Sequence, residues 1–181
     1  KVNMTRSGAH PTLLMTGAYP QWDMEALERD YQVLRLYESG DPDALIAANA
    51  ADIRAIATRG DLGASADLMA RLPNLEIVSV FGVGIDGVDF AHTRACSIKV
   101  TNTPDVLTDD VADIAVALLL SAARLVPQGD RLVRSGAWPK GGLPLVTRVH
   151  GKKANIIGMG RTSSSVAKHL SGFDCEISYI A

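Results

Sequence analysis

Along the first hundred positions, apolar and polar residues follow two kinds of pattern, one typical of strands and one typical of helices. Short apolar or β-branched runs predict strands at 12–17, 32–38, 53–59, 75–81 and 98–103. Apolar residues at helical spacing predict helices between them, at 21–31, 41–50 and 65–73. Asp41, which precedes Pro42, and Ser65 are the expected N-caps of the second and third helices. Strands and helices that alternate at this pace predict a parallel sheet covered on both faces.

The pattern changes at residue 104, where a long apolar helix is predicted. Thr108 is its expected N-cap, and Asp109 and Asp110 lie in the first turn, where carboxylates favour the positive end of the helix dipole. From Val111 to Leu120 the helix is apolar on nearly every side, so we expect most of it to be buried, at a domain junction or against a second subunit. The rest of the chain predicts a helix at 131–139, an irregular connection at 141–153, a strand at 153–160, a helix at 161–170 and a strand at 175–181.

The segment "NIIGMGRTSSSVAKHL" (155–170) predicts a strand, a tight turn and a helix. Gly158, Gly160 and Ser163 occupy the three glycine positions of the G-x-G-x-x-G fingerprint. The first glycine permits the turn, the second lets the backbone approach a pyrophosphate, and the third allows close helix–strand contact, which a serine weakens. Amides at the start of the helix would point at the pyrophosphate. The alternative is an ordinary turn whose glycines only connect two elements.

A second glycine-rich turn, "FGVGIDGVDF" (81–90), follows the most apolar strand of the first hundred residues. Gly82, Gly84 and Gly87 leave a backbone whose N–H groups can form a nest for a small anion such as a carboxylate. The turn lies at the carboxyl end of a parallel strand, where open α/β sheets bind their ligands. A crossover with no ligand is the alternative, and the glycines alone slightly favour it.

Composition narrows the classes of partner. The 18 basic and 20 acidic residues give a net charge of −2 with no basic cluster, which argues against nucleic acid and anionic membranes. The longest apolar run, Ile114–Leu120, is too short to span a bilayer, and residues 1–10 lack the apolar core of a signal peptide. Cys96 and Cys175 form neither a metal-type spacing nor a disulfide framework. We therefore expect a cytoplasmic protein without a metal site.

Four segments together resemble a known family. "VSVFGVGIDGVD", "IKVTNTPDVLTDDVADIAVALLL", "GAW" and "IIGMGR" follow one another as in the D-isomer-specific 2-hydroxyacid dehydrogenases, most closely the glyoxylate/hydroxypyruvate and hydroxyphenylpyruvate reductase branch. Over about 75–179 the resemblance extends to many individual residues, and before residue 75 it is limited to the general sequence pattern. It implies an α/β protein with a flavodoxin-like substrate domain over 1–101 and the N-terminal part of a Rossmann dinucleotide-binding domain over 102–181. It also implies a homodimer in which the long helix, 109–125, takes part.

The resemblance implies a reaction and a set of binding residues. The reaction is NAD(P)H-dependent reduction of a small 2-oxo acid to the D-2-hydroxy acid, with NADP favoured over NAD. Backbone N–H groups of Val83 and Gly84 would hold the substrate carboxylate, and Arg59 would line the substrate side unless it is a solvent-facing arginine at a strand end. The cofactor would lie against Thr108, Gly158, Gly160, Arg161 and Thr162. The family usually has Ile and Gly where Thr162 and Ser163 stand, a departure that bears on cofactor affinity.

The family's arginine, glutamate and histidine are expected after residue 181, so no catalytic residue is assigned within the chain. The four histidines do not match the family's acid and are expected at surface or linker positions: His10, His92, His150 and His169. Trp22 and Trp138 are expected in the core. Two other hypotheses stay open: a non-enzymatic NAD(H)-binding sensor, similar to the corepressors on this fold, and a remnant that no longer binds nucleotide.

Overall fold

The structure is a computed structural model, and it describes residues 10–181. Residues 1–9, on which the prediction about a signal peptide depends, lie outside the described residues. The chain divides after Pro104 into two compact units. No helix within residues 10–181 is long and apolar enough to cross a bilayer.

The first unit is built on a five-stranded parallel sheet. Its strands are β1 (Thr12–Met15), β2 (Gln32–Arg35), β3 (Ile53–Arg59), β4 (Ile77–Phe81) and β5 (Lys99–Thr101). They lie in the order β2-β1-β3-β4-β5, and each neighbouring pair is parallel. This is the doubly wound order of flavodoxin-like sheets, in which ligands bind beyond the carboxyl ends of the strands. The predicted fold class is confirmed.

Four helices connect these strands: α1 (Gln21–Asp30), α2 (Pro42–Asn49), α3 (Ala66–Ala70) and α4 (Phe90–Ala95). The side chains of Asp41 and Ser65 cap α2 and α3, as predicted, by accepting backbone N–H bonds of 3.0 and 3.2 Å. The pattern did not predict α4, because its six residues are too few to show a helical period. Its one local signal is Asp89, whose carboxylate accepts the N–H of His92 at 2.8 Å.

Side chains alternate between the two faces of the sheet, and both faces are covered. Leu14 of the interior strand β1 belongs to one apolar cluster with Ile56 and Val78, whereas its neighbours Leu13 and Met15 belong to another. This is the period of two that a strand imposes. All four residues of β1 are buried, as expected for a strand in the interior of a doubly wound sheet.

The second unit contains α5 (Thr108–Arg124), α6 (Val126–Arg134), β6 (Lys153–Ile157), α7 (Arg161–Ser171) and β7 (Glu176–Ile180). Strands β6 and β7 pair in parallel, with α7 between them in the chain. Helix α5 packs along α7. The two-stranded sheet leaves apolar side chains exposed, among them Ile157 and Ile180.

Two helix boundaries differ from those predicted. Thr108 is not the N-cap of α5 but its first residue, and the cap is Leu107, which makes no side-chain capping bond. Helix α6 begins at Val126 rather than at Arg131, because Leu125 adopts a left-handed φ of 53° that separates it from α5. Pro127, in the first turn of α6, is the signal in the sequence for this earlier start.

Within the single chain α5 is largely exposed, so its burial against another surface stays a prediction, whereas the expected burial of the tryptophans is wrong. Ala112 is the buried residue of α5, whereas Ile114 and Leu118 are 61% and 63% exposed. The tryptophans are also exposed rather than in the core, Trp22 at 78% and Trp138 at 63%. On α1 the residue that points into the core is Met24, so the buried stripe lies on another side of the helix from Trp22.

Candidate functional site

Two turns at the carboxyl ends of β3 and β4 are joined by backbone hydrogen bonds. The N–H of Ala64 donates to the carbonyl of Gly87 at 3.0 Å, and the N–H of Asp89 donates to the carbonyl of Ala64 at 3.0 Å. Gly60 N–H reaches the carbonyl of Phe81 at 3.4 Å. The two turns therefore form one hydrogen-bonded unit at the carboxyl edge of the sheet.

The Val83–Gly84 peptide is held from one side and open on the other. Gly82 has a φ of 146°, and its N–H donates to the Thr103 hydroxyl at 3.2 Å. The Asn102 side-chain amide donates to the carbonyl of Val83 at 2.9 Å. Val83 and Gly84 are exposed, and a Cβ added at Gly84 would meet nothing within 4 Å. The turn thus presents free space beside a fixed backbone, which suits a small carboxylate.

Arg59 ends β3 opposite Phe81 and precedes Gly60, a neighbour of the Val83–Gly84 turn. Its guanidinium donates two hydrogen bonds to the carboxylate of Asp61, at 3.0 and 2.5 Å. These bonds raise the pKa of Arg59 and lower the pKa of Asp61. Both side chains are partly exposed. Arg59 is therefore near the turn, as expected of a substrate-lining residue, but its charge is paired within the chain.

A polar network behind these turns was not predicted from the sequence. Thr16 donates its hydroxyl proton to Thr58 at 2.6 Å, and Thr58 donates to the carbonyl of Gly63 at 2.7 Å. Tyr19 donates to the carbonyl of Thr58 at 2.8 Å, and burial raises the pKa of Tyr19 to about 12. Thr58 is fully buried, so its hydroxyl requires a partner. The local signal of this network is Thr58, a hydroxyl residue that follows the apolar run 55–57 near the end of β3.

The turn between β6 and α7 has the geometry that the glycine motif requires. Gly158 has a φ of 81°, in the left-handed region that favours glycine. Gly160 is the N-cap of α7, and a Cβ there would meet nothing within 4 Å. Since Gly160 has no side chain to cap α7, the first N–H groups of the helix have no capping partner. Amide donors around open space fit the diphosphate of a dinucleotide.

The remaining predicted cofactor residues lie around this turn in the second unit. Arg161 is the first residue of α7, and its Nε forms an ion pair with a carboxylate oxygen of Asp105 at 3.0 Å. Thr162 and Ser163 follow in the first turn and are half-buried. Thr108 is half-buried at the start of α5, the helix that packs along α7. Gly158, Gly160, Arg161 and Thr162 are thus brought together by one turn.

The four histidines do not gather at either turn. His10 and His150 are exposed, and His150 lies 3.5 Å from Asp174. His92 on α4 and His169 on α7 are half-buried. Over residues 10–181, no group of three or more His, Cys, Asp or Glu side chains is arranged to hold a metal ion.

The doubly wound sheet and the strand–turn–helix define an α/β protein of the nucleotide-binding type. The family model of the D-isomer specific 2-hydroxyacid dehydrogenase catalytic domain matches residues 13–175. The chain therefore belongs to the D-isomer specific 2-hydroxyacid dehydrogenases. It is 44% identical over 153 residues to glyoxylate/hydroxypyruvate reductase A HPR2 of Arabidopsis thaliana. The aligned region covers 84% of the chain and 49% of that protein.

Solved structures of related enzymes share this fold. A 2-hydroxyacid dehydrogenase from Ketogulonicigenium vulgare Y25 has a TM-score of 0.89 and 49% identity, over 94% of the chain and 54% of that structure. A second structure is that of the NADPH-dependent glyoxylate/hydroxypyruvate reductase from Sinorhizobium meliloti in complex with NADP and malonate. It has a TM-score of 0.82 and 38% identity, over 94% of the chain and 53% of that structure. The chain spans about half the length of these relatives.

Proposed function

We propose that the protein containing this chain is an oxidoreductase that reduces a small 2-oxo acid, of the glyoxylate or hydroxypyruvate type, to the D-2-hydroxy acid with NADPH. The observation that carries the proposal is the family match over residues 13–175, which includes both glycine turns. The relatives described above are named as reductases or dehydrogenases, and they give the sensor hypothesis no support.

Residues 1–101 form the substrate domain in this proposal. The backbone N–H groups of Val83 and Gly84 bind the carboxylate of the 2-oxo acid, and the exposure of this peptide supports that role. Arg59 lines the same side and adds positive charge when Asp61 is displaced from it. The malonate in the Sinorhizobium enzyme's complex is a small dicarboxylate, the kind of anion such a turn suits.

Residues 102–181 form the first part of the dinucleotide-binding domain. Gly158, Gly160, Arg161 and Thr162 hold the diphosphate, and Thr108 approaches the cofactor from the start of α5. The bound nicotinamide supplies the hydride. The NADP complex of the Sinorhizobium reductase supports NADP as the cofactor, with NAD as the alternative.

The homodimer and the cytoplasmic location stay predictions. The exposed apolar side chains of α5, including Ile114 and Leu118, support a dimer that covers this helix.

The test is the oxidation of NADPH by the whole protein that contains this chain. We expect saturable loss of NADPH absorbance with glyoxylate or hydroxypyruvate, and formation of the D-isomer. Binding of NADPH without turnover of any 2-oxo acid would favour the sensor hypothesis instead. Failure to bind NADPH and NADH would favour the remnant.

A further inference from the structure

A row of three polar contacts joins α7 to α5 and to the residues just before it. The contacts are Asp105–Arg161 at 3.0 Å, Asp109–Ser165 at 2.6 Å and Asp113–His169 at 3.5 Å. The partners advance by four residues on each side, so the second and third pairs lie on facing stripes of α5 and α7, and the first pair continues the row just before α5 begins. The middle contact involves Ser165, which is buried.

The first contact of the row lies at the glycine turn. Arg161 opens α7 directly after Gly160, and side chains in a helix lean toward its N-terminus, so the guanidinium is directed back toward the turn. Asp105 has a φ of 67°, a conformation that aspartate tolerates better than most residues. The backbone at Asp105 therefore adopts a rare conformation in the place where its carboxylate meets Arg161.

This carboxylate competes with a bound phosphate. An arginine binds phosphate oxygens through the same N–H groups that it donates to a carboxylate. The side chains of Asp105 and Arg161 are 59% and 65% exposed, and exposed ion pairs are weak. A dinucleotide diphosphate, which also receives bonds from helix amides, can therefore displace Asp105.

We propose that Asp105 is a resident counter-ion of Arg161 that the cofactor diphosphate displaces, and that Asp105 thereby weakens dinucleotide binding. The inference rests on the proposed function, because it takes the Gly158–Thr162 turn as the diphosphate site. Asp105 is a positioning residue in this scheme, since it acts through Arg161.

The test compares three variants of the whole protein by calorimetric titration with NADPH. Asp105→Asn removes the charge and tolerates the left-handed backbone. We expect its dissociation constant for NADPH to fall about two- to fivefold at low salt, the range of an exposed ion pair, and the gain to shrink at high salt. Arg161→Gln should bind NADPH more weakly. Adding Asp105→Asn to Arg161→Gln should give no further gain, which a merely structural role would not produce.

Asp130→Asn is the matched control. It removes the same charge and breaks an exposed Asp–Arg pair of 2.8 Å on α6, away from the glycine turn. An equal gain in this control, or an unchanged or weaker affinity in Asp105→Asn, would overturn the inference while leaving the proposed function intact. If the unaltered protein binds neither NADPH nor NADH, the proposed function falls and this inference with it.

Discussion

Gly63 and Gly87 lie in direct contact: a Cβ added to Gly63 would stand 2.0 Å from the carbonyl oxygen of Gly87. The turns after β3 and β4 thus approach more closely than a side chain at Gly63 allows. Arg59 belongs to one of these turns, and Val83 and Gly84 belong to the other. The contact therefore sets the distance between the parts of the proposed carboxylate site.

Gly63→Ala is expected to destabilise the protein. Gly63 has a φ of 66°, which costs a residue with a Cβ about 1–2 kcal/mol, and the contact with Gly87 adds to that cost. We expect urea titration to show a loss of at least about 2 kcal/mol in the free energy of unfolding. Gly40→Ala is the control, because a Cβ at Gly40 meets nothing within 4 Å. Equal losses in the two variants would contradict the tight contact.

Gly84→Ala and Gly160→Ala are expected to separate substrate binding from cofactor binding. A Cβ at either position meets no atom of the chain within 4 Å, and neither glycine has a positive φ, so both variants should fold normally. The added methyl group instead enters the space proposed for a ligand. Gly84→Ala should raise the KM for glyoxylate about tenfold, and Gly160→Ala should weaken NADPH binding by a similar factor.

The measurement is steady-state kinetics together with calorimetric titration of NADPH. Gly84→Ala should change the dissociation constant of NADPH by less than about twofold, and Gly160→Ala should change the KM for glyoxylate by less than about twofold. If one variant weakens the binding of both glyoxylate and NADPH, or of neither, the two turns do not have the separate roles proposed. Thermal unfolding of both variants checks that their folds are intact.

Asp61→Asn is expected to strengthen binding of the 2-oxo acid. Hydrogen bonds from Arg59 lower the pKa of the Asp61 carboxyl, which is therefore charged and holds the guanidinium. The substitution removes this charge and so releases the guanidinium. The KM for glyoxylate should fall about two- to fivefold, the range expected for freeing an exposed pair. Asp43→Asn, which breaks the exposed Arg71–Asp43 pair of 2.7 Å in the same unit, should leave KM unchanged. A raised KM in Asp61→Asn would mean that Asp61 orients Arg59 productively.

The sequence predicted the features that local patterns encode. The period of the apolar residues predicted every strand of the five-stranded sheet, and Asp41 and Ser65 marked two helix starts correctly. The tight turn at Gly158 followed from the glycine motif and its flanking elements. These features depend on a few neighbouring residues, so a single sequence is enough to show them.

The features that were missed depend on residues far apart in the chain. Thr16 bonds to Thr58, and Asp109 to Ser165, across separations of 42 and 56 positions, and no local pattern reports such pairs. The direction of Trp22 on α1 depends on which side of the helix meets the sheet, which tertiary packing decides. The apolar character of α5 predicted burial at a domain junction or against a second subunit, and a pattern along one chain does not show which surface covers a helix.

Tyr19 is expected to make stability fall at high pH. Burial raises its pKa from 10.0 to about 12, so the folded state favours the neutral phenol. Its contribution is complete below pH 10, where both states are neutral, and is lost as the pH rises through about 12. Between these values the unfolded state releases the proton first, and stability therefore decreases with pH.

Tyr19→Phe tests this expectation by removing the titrating group. At neutral pH the variant should lose about 0.5–1.5 kcal/mol, because the hydrogen bond of 2.8 Å to the carbonyl of Thr58 is lost. From pH 10 upward its free energy of unfolding, measured by urea titration, should decline less steeply than that of the unaltered protein. Tyr179→Phe, at an exposed position, is the matched control for the removal of a phenol hydroxyl. Parallel pH profiles for the unaltered protein and Tyr19→Phe would show that the phenol of Tyr19 does not titrate differently in the folded and unfolded states.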